Sequence, residues 1–321
     1  MFTIREFDKS EQDYTDAVAI HNAVLPDDQS TVAGWQYGHK AHNPKFRYQM
    51  FVAEADGKAV AYGGYAEPSW SYRPGKYFLN VVVHPASTNQ GIGTLLYEHT
   101  LDVLAGGKLP PTMLVAKARE DHAASLRFLQ KHGFQSVMRF PTSRLDVARF
   151  DAARFAATVT SVKASGIEIL SVAALATVDP DYQHKIYELD WQCTLDEPMS
   201  DIPTKPTFEE YSKFVFDHPR FISEAYFIAV DNGDYVGLSE LSRDLAQPDR
   251  LNTGFTAVAR SHRRRGIATA LKVCAIAYAQ QHGYVSIKTD NEEHNPMYAI
   301  NLDLGFVPQP AWLDFQKIIA E

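Results

Sequence analysis

Apolar residues in this chain come in short blocks broken by polar, glycine-bearing turns. At 51–67 the sequence FVAEADGKAVAYGGYAE places an apolar run on each side of an Asp-Gly turn, a pattern that predicts a β-hairpin. The same layout returns at 226–242 as YFIAVDNGDYVGLSELS. Upstream of each hairpin an opening strand (Thr3–Phe7; Glu168–Ser171) leads into helical spacing over Tyr14–Val24 and Asp181–Cys193. A polar, proline-bearing segment and another helix separate these from the hairpin. Downstream, apolar strands over Phe78–Val83 and Thr253–Ala259 run into glycine turns that open long helices, Gly91–Leu104 and Gly266–Gln281. A further strand (Met113–Ala116; Val285–Thr289), a short helix, a Gly-Phe pair and a final strand complete each series.

The two series are one pattern written twice. Gly57 and Gly233 are 176 residues apart, Gly91 and Gly266 are 175 apart, and Gly133 and Gly305 are 172 apart. Three matches in the same order, drifting by only four residues, indicate tandem duplication of a domain of about 145 residues, far above a solenoid period. The expected domains are 1–150 and 160–321. The seam at 142–166 reads as a strand end plus a short helix rather than a loose linker. Antiparallel hairpins feeding a strand–turn–helix unit give the fold class α/β (mixed α+β), with a largely antiparallel sheet flanked by helices in each copy.

Composition narrows the partners. The 321 residues hold 31 Lys plus Arg against 39 Asp plus Glu, a formal charge of −8, which argues against nucleic acid. Two cysteines, Cys193 and Cys274, are too few for a disulfide framework. No apolar run approaches the roughly 18 residues of a membrane span, and Met1–Arg5 has no signal-peptide character. A cytoplasmic location without membrane contact is expected, and no His/Cys spacing suggests a metal. Oligomeric state is left open.

Chemistry concentrates in VARSHRRRGIATALKVCAIAYAQQHGY at 258–284. A strand ends there, basic residues follow, and Gly266 with Ala268 opens a helix whose first amides form an anion site. A helix start decorated with solvated arginines is the bland alternative. Arg263-Arg264-Arg265-Gly266-Ile267-Ala268 resembles the Arg/Gln-x-x-Gly-x-Gly/Ala loop of the GNAT superfamily of acetyl-CoA-dependent N-acetyltransferases. The likeness extends through Leu271-Lys272, Thr289-Asp290-Asn291, and Asn295-Pro296-Met297 to Leu304-Gly305-Phe306, and is weaker in the first copy. The resemblance implies two tandem GNAT-like domains, with acetyl-CoA as cosubstrate and a small-molecule or peptide amine as acceptor. It implies Val258 and Ala259 for the pantetheine arm, and Arg263 to Thr269 for the pyrophosphate, including Gly266, Ile267 and Ala268. Asn291 and Asn295 join the cofactor set, as do Val83, Gly91 and Gly93 of the first copy.

The first copy carries Thr88-Asn89-Gln90 in place of the arginines. Two readings stand: it keeps a shorter contact to the cofactor, or it keeps the fold without the ligand. The tyrosine that many family members place four residues before the terminal Gly-Phe is replaced by Leu129 and Asn301. Tyr298, one helical turn before Asn301, is the substitute acid, against a packing role; Leu126 stands there in the first copy. Glu240, at the end of the hairpin's second strand, is the candidate base, against a solvated strand end. The catalytic set is therefore Tyr298, Glu240 and Asn301, all in the second copy. His262 reads as a phosphate contact and Cys274 as a small core residue. Trp35, Tyr37, Trp70 and Tyr72, then Trp191, Asp196, Glu197, Asp201 and Tyr211, mark the acceptor side, a composition suited to a cationic amine. The rival class is a non-catalytic module that binds coenzyme A or an amine.

Overall fold

The structure, a computed structural model, describes residues 2–319. In chain order the elements of the first copy are β1 (Phe2–Glu6), α1 (Glu11–Val24), α2 (Val32–Ala41), β2 (Tyr48–Ala55), β3 (Lys58–Ala66), β4 (Lys76–Val83), α3 (Ile92–Ala105), β5 (Met113–Arg119) and α4 (Ala123–Lys131). There follow β6 (Gln135–Asp146), α5 (Ala156–Ala164), β7 (Ile167–Ser171), α6 (Val172–Val178), α7 (Tyr182–Thr194), α8 (Phe208–Phe214), β8 (Tyr226–Asp231) and β9 (Asp234–Arg243). The chain ends with β10 (Arg250–Val258), α9 (Ile267–Gln281), β11 (Ser286–Asp290), α10 (Pro296–Asp303) and β12 (Val307–Ile318). Helix α6 has no counterpart in the first copy; its run Val-Ala-Ala-Leu-Ala-Thr-Val is too short and uniformly apolar to show a helical period.

The chain divides into two compact units. One comprises the residues up to Met138 together with those from Leu313 onward; the other is Arg139–Trp312. In the first unit the strand order is β1-β2-β3-β4-β5 and then the end of β12. Phe315 enters the core of Tyr77, Leu114, Ala116, Leu129 and Phe134, Lys117 pairs with Asp314 at 3.2 Å, and Ile319 donates its N–H to the Thr112 carbonyl at 2.8 Å. The second unit runs β6-β11-β10-β9-β8-β7, with Thr142–Asp146 antiparallel to Ser286–Asp290. The closing strand of each unit therefore comes from the other sequence copy.

The β1–β2–β3–β4 and β7–β8–β9–β10 runs and the β6–β11 pair are antiparallel, whereas β4–β5 in the first unit and β10–β11 in the second are parallel. In the second unit α9 covers one face through Ile267, Ala270, Leu271, Val273 and Ile276. The other face is covered by α6 and α7 through Leu175, Ile186, Leu189 and Cys193. Side chains alternate along β9: Gly237, Ser239 and Leu241 face α9, whereas Leu238 and Glu240 face α7.

Candidate active site

Parallel pairing of β10 with β11 covers only Arg250–Asn252 against Ser286–Lys288, while β10 continues to Val258. Beyond Asn252 the two strands part. The same stretch carries a bulge in its pairing with β9, between Thr253 and Thr256, and in β4 the corresponding pairing with β3 runs without a shift. Ala259 gives its N–H to the Val236 carbonyl at 2.9 Å, so by strand alternation Val258 turns its backbone groups to the open edge. The Val258 carbonyl accepts from Arg263 Nε at 2.9 Å.

After Val258 the chain makes a short 3₁₀ turn (Arg260–His262), extends at Arg263 (φ −67°, ψ 160°), then turns left-handed at Arg264 (φ 62°) and Gly266 (φ 77°). Glycine at 266 supplies that conformation without steric cost. No side chain caps α9, so its first amides and its dipole are available to an anion. Ile267 buries its side chain in the core and offers only its backbone; Ala268 and Thr269 are half-buried. The first unit repeats this backbone: Thr88 has φ −69° and ψ 160°, Asn89 φ 60° and Gly91 φ 84°, at the start of an equally uncapped α3. Val83 ends β4 beside this turn, and Gly93, in the first turn of α3, would accept a methyl with contacts no closer than 3.6 Å. What separates the two cradles is their side chains.

Those side chains are largely committed within the second unit. Asp196, in the turn after α7, pairs with both Arg260 and Arg263, and the Arg260 hydrogen bond, reinforced by Arg263, holds its carboxyl down at about 2. Asp196 therefore belongs to the loop rather than to the acceptor side assigned from sequence. Arg265 lies 3.8 Å from Asp231 and reaches Ser165 at 3.4 Å. Both nitrogens of His262 are engaged, one with Asp231 at 3.0 Å and one with Ser261 at 2.8 Å. Arg264 is exposed and makes no side-chain hydrogen bond or ion pair among the described residues.

The far side of the opening is lined from β11 and α10. Asn301 is fully buried; its Nδ2 donates to Asn291 Oδ1 at 2.5 Å, and its own Oδ1 has no partner. Tyr298, half-buried one turn earlier, has a hydroxyl with no partner among the described residues. Asn295 uses its side chain to cap α10, accepting from Met297 N–H at 2.9 Å. Glu240 lies over the bulge: a Cβ placed on Gly254 would stand 2.8 Å from the Glu240 carboxyl carbon, so the absence of a side chain at 254 makes room for this carboxyl. Burial, and then the charge of Asp190, push the Glu240 carboxyl up to about 7. At the matching position of the first copy stands Gly64.

Sequence reasoning missed two groups here. Asp190 accepts from Tyr211 at 3.0 Å and Thr194 at 3.3 Å, and burial raises its carboxyl to about 6. Lys272, on the sheet-facing side of α9, is only 3% exposed, and burial lowers its amine to about 7. A lysine flanked by Leu271 and Val273 on a helix face that repeats Ala268, Ala275 and Ile276 was the available signal. Cys193 is buried with its thiol pushed up to about 11, and burial also raises Cys274, so neither is an activated thiolate. Trp70 and Tyr72 are exposed, while Trp35 packs edge-on against Tyr62. Among the described residues no cluster is placed to hold a metal ion, and no helix is long and apolar enough to cross a membrane.

The family model described as acetyltransferase (GNAT) family matches residues 14–134 and again 178–306. No curated protein matches the chain. Among solved structures, a tandem GNAT protein from the clavulanic acid biosynthesis pathway, without AcCoA, aligns with a TM-score of 0.77 at 19% identity, covering 100% of this chain and 99% of that one. A GCN5-related N-acetyltransferase from Sphaerobacter thermophilus aligns with a TM-score of 0.73 at 17% identity, over 100% of this chain and 96% of that one. At these identities the likeness concerns the fold.

Proposed function

We propose, because the chain belongs to the acetyltransferase (GNAT) family, that it transfers an acetyl group from acetyl-CoA directly to a primary amine of a small molecule or peptide, as a cytoplasmic enzyme with its site in the second copy. The observation that carries this reading is the bulged, open-edged β10 running into an uncapped left-handed turn, with Glu240 set against the bulge. The residues suit the cosubstrate. The open-edge backbone of Val258 takes the pantetheine arm, Ala259, whose N–H and carbonyl are held by Val236 and His262, fixes the strand end, and the amides of Gly266 to Thr269 with the Arg264 guanidinium take the pyrophosphate. Arg263 and Arg265 add to the field of the loop, and the free Oδ1 of Asn301, steadied by Asn291, offers an acceptor inside the cleft. Asn295 contributes by fixing the start of α10.

When bound, acetyl-CoA supplies the thioester that is cleaved. Glu240, titrating near neutrality, removes the proton of the incoming amine, and the Tyr298 hydroxyl returns one to the departing sulfur. Asp190, Glu240 and the surrounding tyrosines make the acceptor side favour a cation. The first copy keeps the cradle of Val83, Gly91 and Gly93 but has Gly64 and Leu129 where the second has Glu240 and Asn301, so we assign it no turnover. The absence of the family tyrosine from both copies favours a second reading, a binding module for coenzyme A or an amine.

A thiol-release screen of acetyl-CoA against amines, amino acids, polyamines and antibiotics separates the two. Amine-dependent release supports the enzyme; binding without release supports the module. Arg264→Glu and Asn89→Glu then form a matched pair, because both positions are already left-handed. The first is expected to abolish turnover and the second to leave it intact. The reverse result moves the active site to the first copy.

A further inference from the structure

The Lys272 amine lies behind the place where β10 and β11 separate. It borders a cavity of about 10 Å³, the size of a single water, lined by Ser239 of β9, Thr253 of β10, Ile287 of β11 and Phe306. Thr253 is the first residue past the last parallel pair and the first of the bulge. Phe306, whose ring centre is 5.6 Å from Nζ, is tied by its own N–H to the Asn301 carbonyl at 3.0 Å. The amine thus faces the cavity from α9, opposite a ring anchored through the backbone of Asn301.

No acidic side chain meets this amine. The walls contributed by β9, β10, β11 and α9 contain no Asp or Glu, and Glu240 points to the opposite face of β9. Among the described residues Nζ makes no hydrogen bond or ion pair, and it stands over the Phe306 ring. A buried lysine without a counterion is costly, and burial accordingly brings the amine down to about 7, so it holds its proton only weakly near neutral pH. Such a group is poised to gain a proton when an anion appears beside it.

We propose that Lys272 is the positive charge that faces the sulfur of the cosubstrate at the foot of this opening and stabilises it as a thiolate. The inference rests on the acetyltransfer reading above. In the transfer, the amine nitrogen bonds to the carbonyl carbon and its proton goes to Glu240. The carbon–sulfur bond breaks with its electron pair on sulfur, Lys272 takes up a proton from solvent as that charge arrives, and the thiolate rests opposite the ammonium until Tyr298 protonates it and Lys272 returns its proton to solvent. Tyr298 recovers its proton from solvent, and Glu240 releases one. Because the two groups face each other, they titrate as a coupled pair, and a thiolate placed here forms together with the lysine ammonium.

Coenzyme A itself is the probe, and no acceptor is needed. Its thiol is titrated in the complex by ultraviolet thiolate absorbance, with desulfo-coenzyme A as the blank, in wild type, K272M and K272L. In wild type the bound thiol is expected to ionise at least one pH unit below the free thiol, a tenfold change in its equilibrium. In both variants that shift should vanish, while desulfo-coenzyme A binds all three proteins equally by calorimetry. A wild-type thiol that ionises at or above the pH of the free thiol overturns the inference even if neither variant folds. So does an equal shift in wild type and variants, and in either case coenzyme A binding stands. If neither ligand binds wild type, the functional reading falls and the inference with it.

Discussion

Lys272 and Glu240 are both titrating groups shifted toward neutrality by burial, with opposite consequences. The lysine is about 10.5 when unfolded and about 7 when folded, so between these values the unfolded chain holds more protons. Stability therefore rises with pH from about 7 to 10.5, by up to about 1.4 kcal/mol per unit from this residue, and the lysine penalty is constant below that window. K272M should lack this rise and be the more stable protein at pH 7; urea midpoints of both proteins across the pH range check it. Glu240 acts as a base only when ionised. The kcat/KM of wild type should therefore fall as pH drops through about 7. Glu240→Gln should remove that limb and cost on the order of 10²–10⁴ in rate, measured with whichever amine the screen identifies. An unchanged acid limb in the variant would mean that another group takes the proton.

At the scale of elements, the strand–turn–helix unit was legible because its glycines answer a backbone demand that no other residue meets as cheaply. Gly91 and Gly266 are both left-handed, as the duplicated turns implied, but their surroundings differ. A Cβ at 91 meets nothing within 4 Å, whereas one at 266 would stand 2.7 Å from the Thr158 methyl of α5. Gly91→Ala should cost about 1 kcal/mol for the conformation alone, and Gly266→Ala roughly twice that, because α5 must yield as well. Paired melting curves test the order, and equal losses would show that α5 gives way freely. The bulge of β10 was not legible: Asn-Thr-Gly-Phe-Thr reads as an ordinary strand, and only the Glu240 carboxyl over Gly254 explains why that residue is glycine. Nor was the commitment of the arginines. Of Arg263, Arg264 and Arg265, sequence ranks none above another, and it is Asp196 and Asp231, distant along the chain, that leave Arg264 free. Arg264→Ala should thus weaken coenzyme A binding by about 1.5–3 kcal/mol in calorimetry, and Arg260→Ala by less, since Arg260 is already neutralised by Asp196.

The whole molecule differs from two copies placed end to end, since the closing strand of each compact unit comes from the other copy. Apolar alternation along Gln135–Asp146 and Val307–Ile318 predicts that both are strands, but the pattern is satisfied by either unit, so the exchange leaves no mark in the sequence. Its energetic consequence is specific. Phe315 is 3% exposed in the first unit's core, and Leu313 packs against the same cluster. A fragment ending near residue 155, which is where the repeat suggests cutting, lacks both side chains, the Lys117–Asp314 pair and the Ile319–Thr112 hydrogen bond. Losing a buried phenylalanine costs about 3–5 kcal/mol, a large share of the stability of a domain this size, and β5 is left as an unpaired edge. The fragment 1–155 should therefore fail to melt cooperatively. The same fragment with 307–319 appended through a flexible linker should recover a sharp transition and native circular dichroism. In the full chain, Phe315→Ala should lower the midpoint of the first unit by an amount matching that core loss. A fragment 1–155 that melts cooperatively without the appended strand would mean that the first unit closes with its own sequence, and that the exchange contributes little to its stability.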